Sequence, residues 1–349
     1  MSYPLALSLI CGAEIILALL ATLLFRHLWR RDSGVRRLVQ NVLLAVFSGV
    51  FMLTVMEIGF KLFYVQSDGI NFTLSSQAWV EKYWHPINSL GYRDFEWTEE
   101  NLVGRIRVAV VGDSFVTGYG INYVEDRFAN RLGQRLGDDY AVMVIARNGW
   151  STGQELNALK KHPFPPDIVV LSYYLNDILP DGYSHGYSPP EDLLIYPPNW
   201  ARPLVDNSYL ANFVYWRAFR WRVFGNPLNR PEIQGYDAYR RAVYEDPAVW
   251  AAHRQRLWEF SDYVQSQGMA FYVVVFPDML DVAGTRDLAS MVAEEFRTMG
   301  VPVLEVADLV DEMPTNRRIV SKVDTHPSVE VHRIVADALY DLIFSESMK

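Results

Sequence analysis

Two long apolar runs near the start of the chain constrain its fold more than any other feature. They span residues 4–25, PLALSLICGAEIILALLATLLF, and about 40–63, QNVLLAVFSGVFMLTVMEIGFKLF. About 20 helical residues cross the apolar core of a bilayer, and a helix satisfies its own backbone polar groups there. The first run has no basic region before it and exceeds the ~7–15 apolar residues of a cleaved signal peptide. We therefore expect two retained transmembrane helices over residues 1–65, rather than two helices buried in a soluble core.

The loop between the runs indicates their orientation. Its sequence, RHLWRRDSGVRR, carries five arginines against Asp32. Because cytoplasmic loops are enriched in Lys and Arg, this loop is expected in the cytoplasm. The chain after about residue 65 then lies outside. We expect a two-pass protein of the inner (cytoplasmic) membrane whose large domain is periplasmic or extracellular, with the lipid bilayer as one of its partners.

Two acidic residues fall inside the apolar runs. Glu57 lies near the outer end of the second run, four residues before Lys61, and this spacing favours a local ion pair. Glu14 lies deeper, where an ionised carboxylate is costly. It is expected to be protonated and hydrogen-bonded to the other helix, with Ser48 at a suitable depth, or else to contact a membrane partner.

Charge and cysteine content exclude several functions for the outer domain. Residues 1–65 carry six Lys or Arg and three Asp or Glu, so the net charge of −9 leaves −12 for the rest of the chain. Such an acidic domain is a poor partner for nucleic acid. The single cysteine, Cys11, lies in the first apolar run. The outer domain therefore has no thiol nucleophile, disulfide or cysteine–zinc site, and we expect neither a cofactor nor a metal ion.

Residues 66–104 have no clear periodicity and are interpreted as a connecting collar. From 105 to 349, compact apolar segments alternate with amphipathic ones, which predicts an α/β domain with a parallel sheet. The expected strands are 106–111, 141–146, 167–173, 270–276 and 302–306. The expected helices are about 124–137, 153–161, 247–267, 286–299 and 328–344.

A long insertion, about 178–246, interrupts this alternation and is rich in proline and aromatic residues. Its segment SYLANFVYWRAFRWRVF, 208–224, predicts a helix with a broad aromatic face. Insertions of this length are usually functional or form a subdomain. The helix could dock on the sheet domain, cover the site as a lid, or rest on the membrane surface.

The turn after the first strand, VVGDSFVTGYG, presents Ser114 at the carboxyl edge of the predicted sheet, where ligands bind in such folds. A serine hydroxyl needs a base to become a nucleophile. His326, in VDTHPS, precedes Pro327, a residue favoured in the first turn of a helix. The positive helix end is expected to keep this imidazole neutral. Asp324 could hold its other ring nitrogen.

Three hydrogen-bond donors follow successive strands and could stabilise an oxyanion. They are the backbone N–H of Ser114, that of Gly149 in ARNGWS, and the side-chain amide of Asn176 in YYLND. Each motif alone is weak, because a serine at a strand end, an Asn-Gly pair and an Asn-Asp pair are commonly only helix caps or turns. Their order after successive strands favours an acyl-transfer site. A phosphate-binding loop would need a lysine that this turn lacks. His332 is an alternative base, although its position inside the last helix would turn it away.

These blocks resemble those of the SGNH/GDSL hydrolases over roughly 88–345. The resemblance implies Ser114 as nucleophile, His326 as general base, Asp324 as its orienting acid, and Ser114, Gly149 and Asn176 as oxyanion donors. It also implies a three-layer α/β/α sandwich with a flavodoxin-like parallel sheet.

Two positions depart from the family pattern. Tyr174 stands where the family often has glycine, and its bulk is expected to narrow the acyl pocket. The family commonly has aspartate three residues before the histidine, where this chain has Val323. Asp324 lies two residues before His326, so its assignment as the orienting acid departs from the common spacing.

The expected function is therefore that of a membrane-anchored, extracytoplasmic serine acyl-ester hydrolase. It would act through an acyl-enzyme on O-acyl groups, acetyl above all, of a carbohydrate or lipid. An O-acyltransferase modifying an envelope or secreted polysaccharide is the alternative, because the first half-reaction is the same. A non-catalytic accessory subunit of a membrane acyltransferase is the second alternative, which an intact set of Ser114, Asn176 and His326 disfavours.

Overall fold

The computed structural model describes residues 34–189, 196–224 and 231–347, together with six helical positions of the first apolar run: Gly12, Glu14, Ile16, Ala18, Thr22 and Leu23. The rest of that run and residues 26–33 of the arginine loop lie outside the described residues. The chain divides into two compact units. The first comprises Met1–Gln66, Asn71–Trp79 and Leu194–Arg230, and the second comprises Ser67–Ile70, Val80–Leu193 and Pro231–Lys349.

The described strands are β1 Ile106–Gly112, β2 Tyr140–Ala146, β3 Ile168–Tyr174, β4 Ala270–Phe276, β5 Val303–Glu305, β6 Ile319–Ser321 and β7 Asp324–Pro327. The α-helices of the described residues are α1 Gly34–Phe63, α2 Leu74–Tyr83, α3 Glu99–Leu102, α4 Ser114–Thr117, α5 Phe128–Leu136, α6 Thr152–Lys161, α7 Leu179–Ser184, α8 Arg202–Val205, α9 Tyr209–Phe224, α10 Pro231–Glu245, α11 Pro247–Ser266, α12 Val282–Thr298, α13 Val306–Val310, α14 Thr315–Arg318 and α15 Val329–Ser347.

In the second unit, the described strands include a parallel sheet of five in the order β2-β1-β3-β4-β5. Gly112 at the end of β1 pairs with Ala146 of β2 on one side and Ser172 of β3 on the other. This is the flavodoxin-like order, in which the chain reverses direction across the sheet between β1 and β3. Ligands bind beyond the carboxyl ends of the strands at that point. The parallel sheet expected from the sequence is thus confirmed.

Helices cover both faces of this sheet. Successive strand residues point to opposite faces, so Ala109 and Val111 join one core cluster and Val108 and Val110 join the other. Helices α6, α11 and α12 pack on the first face, and α5, α13 and α15 on the second. Each fully buried Val, Leu or Phe of these layers contributes roughly 1.5–3 kcal/mol through removal from water. The layered α/β/α arrangement is confirmed.

In the first unit, one helix of the described residues is long and apolar enough to cross a membrane, Arg37–Phe63 within α1, with a mean hydropathy of 2.1. It matches the second predicted span. Glu14 in the first run accepts a hydrogen bond from Thr54 Oγ1 of α1. A hydroxyl of the neighbouring helix was expected, but it comes from Thr54 rather than Ser48.

Helix α9, in the predicted insertion, packs on α1. Glu57 of α1 accepts hydrogen bonds from Ser208 Oγ at 2.7 Å and from the backbone N–H groups of Tyr209 and Leu210 at 2.7 and 2.9 Å. A carboxylate stabilises a helix N-terminus because the first N–H groups lack partners within the helix. The Phe213 ring packs 4.4 Å from Phe60 of α1. Glu57 therefore caps the amino end of α9, a role beyond the local ion pair expected from its spacing.

Candidate active site

The turn after β1 owes its shape to Gly112 and Asp113. A Cβ atom on Gly112 would lie 2.9 Å from the carbonyl oxygen of Ser172, so only glycine allows this approach to β3. Asp113 is the N-cap of α4, and its carboxylate accepts a hydrogen bond from Phe115 N at 2.9 Å. Ser114 thus begins α4, directly beyond the carboxyl end of β1. The helix-capping interpretation of this turn and the site interpretation hold together.

The structure brings Ser114, His326 and Asp324 into one hydrogen-bonded row. His326 Nε2 lies 2.9 Å from Ser114 Oγ, and His326 Nδ1 lies 2.7 Å from Asp324 Oδ1. In this arrangement Nδ1–H donates to the Asp324 carboxylate, so Nε2 carries no proton and can accept the one on Ser114 Oγ. Asp324 is fully buried, and 9% of Ser114 is exposed. These are the contacts that an activated serine requires.

Charges around the imidazole favour its protonated form. Burial opposes protonation, but the negative charge of Asp324 and the hydrogen bond to it outweigh burial and raise the pKa of His326 above its ordinary value. Burial likewise opposes ionisation of Asp324, yet the charge and hydrogen bonds of His326 lower the pKa of Asp324. The expectation that a helix end keeps the ring neutral was wrong. His326 and Pro327 belong to β7, and α15 begins only at Val329.

The two other oxyanion candidates lie on the loops after β2 and β3. Asn176 Nδ2 donates to Asp113 Oδ2 at 3.2 Å, and Ser114 Oγ lies 3.4 Å from the same oxygen, so Asn176 is a neighbour of Ser114. This contact uses one of the two amide hydrogens and leaves the other for a ligand. Gly149 has a φ of +72°, a conformation suited to glycine. Within the described ranges, its N–H donates to no other group.

Three fully buried acids lie behind this edge. Burial raises the pKa of Asp113 and, together with the charge of Asp113, raises the pKa of Glu155 well above its ordinary range. Burial and the charge of Glu155 do the same for Asp177. Neither carboxyl oxygen of Glu155 has a hydrogen-bond partner among the described residues. Because buried carboxylates repel one another, the cluster favours the protonated forms of Glu155 and Asp177.

Aromatic rings enclose the site on the side of β3. The Tyr174 ring stacks on Phe115 at 4.1 Å, and Phe115 lies 5.5 Å from the His326 ring. Tyr174 Oη contacts Asp278 Oδ2 at 3.4 Å, and the buried Arg240 holds that carboxylate at 3.0 Å. Tyr174 is therefore held by a ring that stacks on Phe115, the residue after Ser114, and by a hydroxyl that contacts a carboxylate paired with Arg240.

His332, the alternative base, is buried elsewhere in the second unit. Its Nδ1 accepts a hydrogen bond from Phe128 N at 3.2 Å, at the start of α5. Burial and the charge of Arg127 lower the pKa of His332 to about 3. It is a neutral partner of a helix end, which favours His326 as the base. In the part of the chain that the structure describes, no group of three or more His, Cys, Asp or Glu is arranged to hold a metal ion.

Sequence reasoning missed two contacts of Asp324. Ser67 Oγ, in the predicted collar, donates to Asp324 Oδ2. Gly120 packs so closely that a Cβ on it would lie 2.5 Å from the same oxygen. The spacing of Gly118 and Gly120 after the serine was a visible signal for a close backbone approach. Ser67 carried no signal, because it lies 257 positions from its partner.

Comparison with known proteins yields structural neighbours only. No protein-family model and no curated protein matches the chain. A lipolytic protein of the G-D-S-L family from Desulfitobacterium hafniense is 12% identical, with 68% of this chain and 99% of that chain covered and a TM-score of 0.41. Esterase EstA from Pseudoalteromonas is 12% identical, with 70% and 100% covered and a TM-score of 0.39. A carbohydrate acetylesterase family member from Sinorhizobium meliloti is 16% identical, with 68% and 96% covered and a TM-score of 0.36.

The chain's own features agree with one another. The β2-β1-β3-β4-β5 order places the serine block after β1, the glycine block after β2 and the asparagine block after β3 at one edge of the sheet. The histidine block reaches that edge from β7 through its contact with Ser114. The sheet order, the positions of the four motif blocks and this hydrogen-bonded row agree with the fold and the site that the sequence resemblance implied.

Proposed function

We propose that this protein is a membrane-anchored serine acyl-ester hydrolase that removes acetyl groups from a carbohydrate outside the cytoplasm. The observation that carries the proposal is the row of contacts from Ser114 Oγ through His326 to Asp324, at 2.9 and 2.7 Å. A serine at the carboxyl edge of a parallel sheet, with a base and an orienting acid in hydrogen-bond contact, is an arrangement for acyl transfer.

The reaction follows from these atoms. Ser114 Oγ attacks the ester carbonyl carbon, and its proton passes to His326 Nε2. Asp324 stabilises the imidazolium that forms. The Ser114 and Gly149 N–H groups and the Asn176 amide would stabilise the oxyanion. The intermediate collapses to an acyl-serine as the leaving alcohol takes the proton from His326. Water then attacks the acyl-serine as His326 takes its proton, the bond from the acyl carbon to Ser114 Oγ breaks, the acid leaves, and Ser114 Oγ regains the proton from His326.

The wall formed by Tyr174 supports a short acyl group. Its ring stacks on Phe115, itself 3% exposed, and its hydroxyl reaches the Asp278–Arg240 ion pair. The Tyr174 ring is held by both its face and its hydroxyl, so another rotamer would cost free energy, since tightly packed side chains resist rearrangement. An acetyl group needs less room at this wall than a longer chain does.

Replacing Tyr174 with alanine is expected to change acyl-chain preference. The ratio of kcat/KM for a butyrate ester to that for the acetate ester should rise by about 10- to 100-fold, because each methylene accepted by an apolar pocket is worth about 10-fold or more. The two p-nitrophenyl esters compared on the purified protein measure it. Tyr123→Ala, which removes a tyrosine that is 60% exposed, should leave the ratio unchanged. An unchanged ratio in Tyr174→Ala would remove the wall from acyl selection.

A cleft beside the Gly149 loop supports a carbohydrate as the substrate. It encloses about 340 Å³, and its lining includes Trp150, Arg147, Asn157 and Lys161. The Arg147 guanidinium lies 5.7 Å from the Trp150 ring. An aromatic surface combined with a few polar and charged groups suits a sugar ring and its hydroxyls. Two cations here, on a strongly acidic domain, favour a glycan that carries negative charge.

Two observations support the compartment. Arg37–Phe63 is long and apolar enough to span a bilayer. The arginines at 26–37 favour a cytoplasmic position for the preceding loop. The chain after Phe63 would then emerge on the outer face. The first span and the two-pass topology are part of this proposal.

The decisive assay uses the full-length protein in detergent. It should release p-nitrophenol from p-nitrophenyl acetate and acetate from an acetylated acidic oligosaccharide. Mass spectrometry of the same reaction with unmodified oligosaccharide as acceptor separates two outcomes. Free acetate alone supports a hydrolase, whereas an acetylated oligosaccharide product assigns the O-acyltransferase activity instead. Lack of turnover of every ester, with no acyl-serine formed, would leave the accessory-subunit role.

A further inference from the structure

The carboxylate of Asp324 has two oxygens, and the proposed mechanism uses only one of them. Oδ1 accepts from His326 Nδ1 at 2.7 Å and from His326 N at 3.1 Å. Oδ2 accepts from Ser67 Oγ. Asp324 is fully buried and Ser67 is 2% exposed, so water cannot readily take over this contact. The Ser67 hydroxyl is thus the partner that holds the far side of the buried carboxylate.

The surroundings fix the direction of the Ser67 hydroxyl. Gly69 N lies 3.3 Å from Ser67 Oγ and donates to it, so that the hydroxyl proton points to Asp324. Gly69 has a φ of +85°, and a Cβ on it would lie 3.3 Å from Asp324 Oδ1. The backbones of Gly69 and Gly120 therefore lie close to the Asp324 carboxylate. The Ser67 hydroxyl holds the rotation of that carboxylate about its Cβ–Cγ bond.

We propose that Ser67 is a positioning residue of the active site. It holds the Asp324 carboxylate in the plane in which Oδ1 accepts the hydrogen bond from His326 Nδ1–H. This inference rests on the proposed function. A hydrogen bond to a charged, buried group is worth more than one between neutral groups, because the unpaired oxygen would otherwise lose its hydration without compensation. If Ser67 is lost, Asp324 can rotate, and His326 loses the partner that fixes its tautomer.

Ser67 comes from a segment that precedes the α/β domain in sequence. Ser67 follows the end of α1 at Phe63 by four positions, far from the strand–helix alternation that begins at Ile106. It nevertheless groups with the sheet in the second unit. A hydrolase domain delimited by its motifs alone would therefore lack one contact of its own active site.

The test compares three single variants of the full-length protein in detergent. Ser67→Ala should lower kcat for p-nitrophenyl acetate by about 10- to 100-fold, with KM changed less than about twofold, because the substrate does not touch Ser67. Ser67→Thr keeps the hydroxyl and should restore most of kcat. Ser75→Ala is the matched control: it removes another buried hydroxyl of the same segment, one that bonds Tyr64 O and Gln66 N. Its kcat should stay within about twofold.

A double-mutant cycle separates positioning from folding. If Ser67 acts through the Asp324 carboxylate, Ser67→Ala should cost little further kcat in an Asp324→Asn background. Equal losses in both backgrounds, or wild-type kcat in Ser67→Ala with an unchanged thermal midpoint, would overturn the inference. Turnover by the wild-type protein keeps these results distinct from failure of the proposed function, in which no variant and no wild-type protein would hydrolyse the ester.

Discussion

Replacing Ser114 with alanine is expected to lower kcat for p-nitrophenyl acetate by roughly 10⁴- to 10⁶-fold, the range seen when the nucleophile of a serine hydrolase is removed. In the proposed mechanism this change deletes the atom that forms the acyl bond, and it leaves His326 Nε2 without its 2.9 Å partner. The fold should survive, because alanine fits where serine fits and Phe115 N keeps its hydrogen bond to Asp113.

Two measurements accompany the Ser114 rates. A fluorophosphonate probe should add its mass to the wild-type peptide that contains Ser114 and to no peptide of the variant. Ser172→Ala is the matched control. Ser172 is a buried serine of β3, and it pairs with Gly112 at the start of the same turn. Its kcat should stay within about threefold. Turnover by Ser114→Ala near the wild-type rate, with the thermal midpoint retained, would contradict the mechanism.

Asp324→Asn is expected to produce the second-largest loss, roughly 10⁴-fold in kcat, as for the buried aspartate of a serine-protease triad. An amide in place of the carboxylate can present N–H to His326 Nδ1, which forces the ring into the wrong tautomer. Ser67 would lose the anion to which it donates. The variant removes one charge and little volume, so the packing of Gly69 and Gly120 around this side chain should persist.

The pH profile gives Asp324→Asn a second signature. His326 must be neutral to accept the serine proton, and the charge of Asp324 raises the pKa of His326 above its ordinary value of about 6.5. In the wild type, kcat/KM should therefore rise with pH through a midpoint above 6.5. Asparagine removes that charge, lowers the pKa of His326 and moves the midpoint to lower pH, although the plateau falls.

A surface carboxylate provides the comparison for this profile. Asp287 is exposed and pairs with Arg241 at 2.6 Å. Asp287→Asn should leave both the midpoint and the plateau in place. If the midpoint does not move in Asp324→Asn, the charge of Asp324 does not control the titration of His326. That result would remove Asp324 from the proposed mechanism.

Much of the fold and of the site could be predicted from local patterns. Short runs rich in β-branched residues, such as 106–111 and 270–276, favour strands of a covered parallel sheet, and strands formed there. In such a sheet all carboxyl ends meet at one edge. The residues that follow β1 and β3, Ser114 and Asn176, were therefore expected to meet, and each contacts Asp113.

The sequence by itself determined the chemistry of the site: a hydroxyl and an amide that follow predicted strands, and an imidazole with a carboxylate two residues before it. Only the tertiary structure decided what surrounds them. Ser67 reaches Asp324 across 257 positions, and Glu57 caps α9 from more than 150 positions away. No periodicity or spacing records such pairs, because each depends on how separate elements pack. Against the effect of burial, the pKa of His326 is raised first by Asp324, its neighbour in sequence, and then by Asp113 and Asp278, which only the tertiary structure brings near.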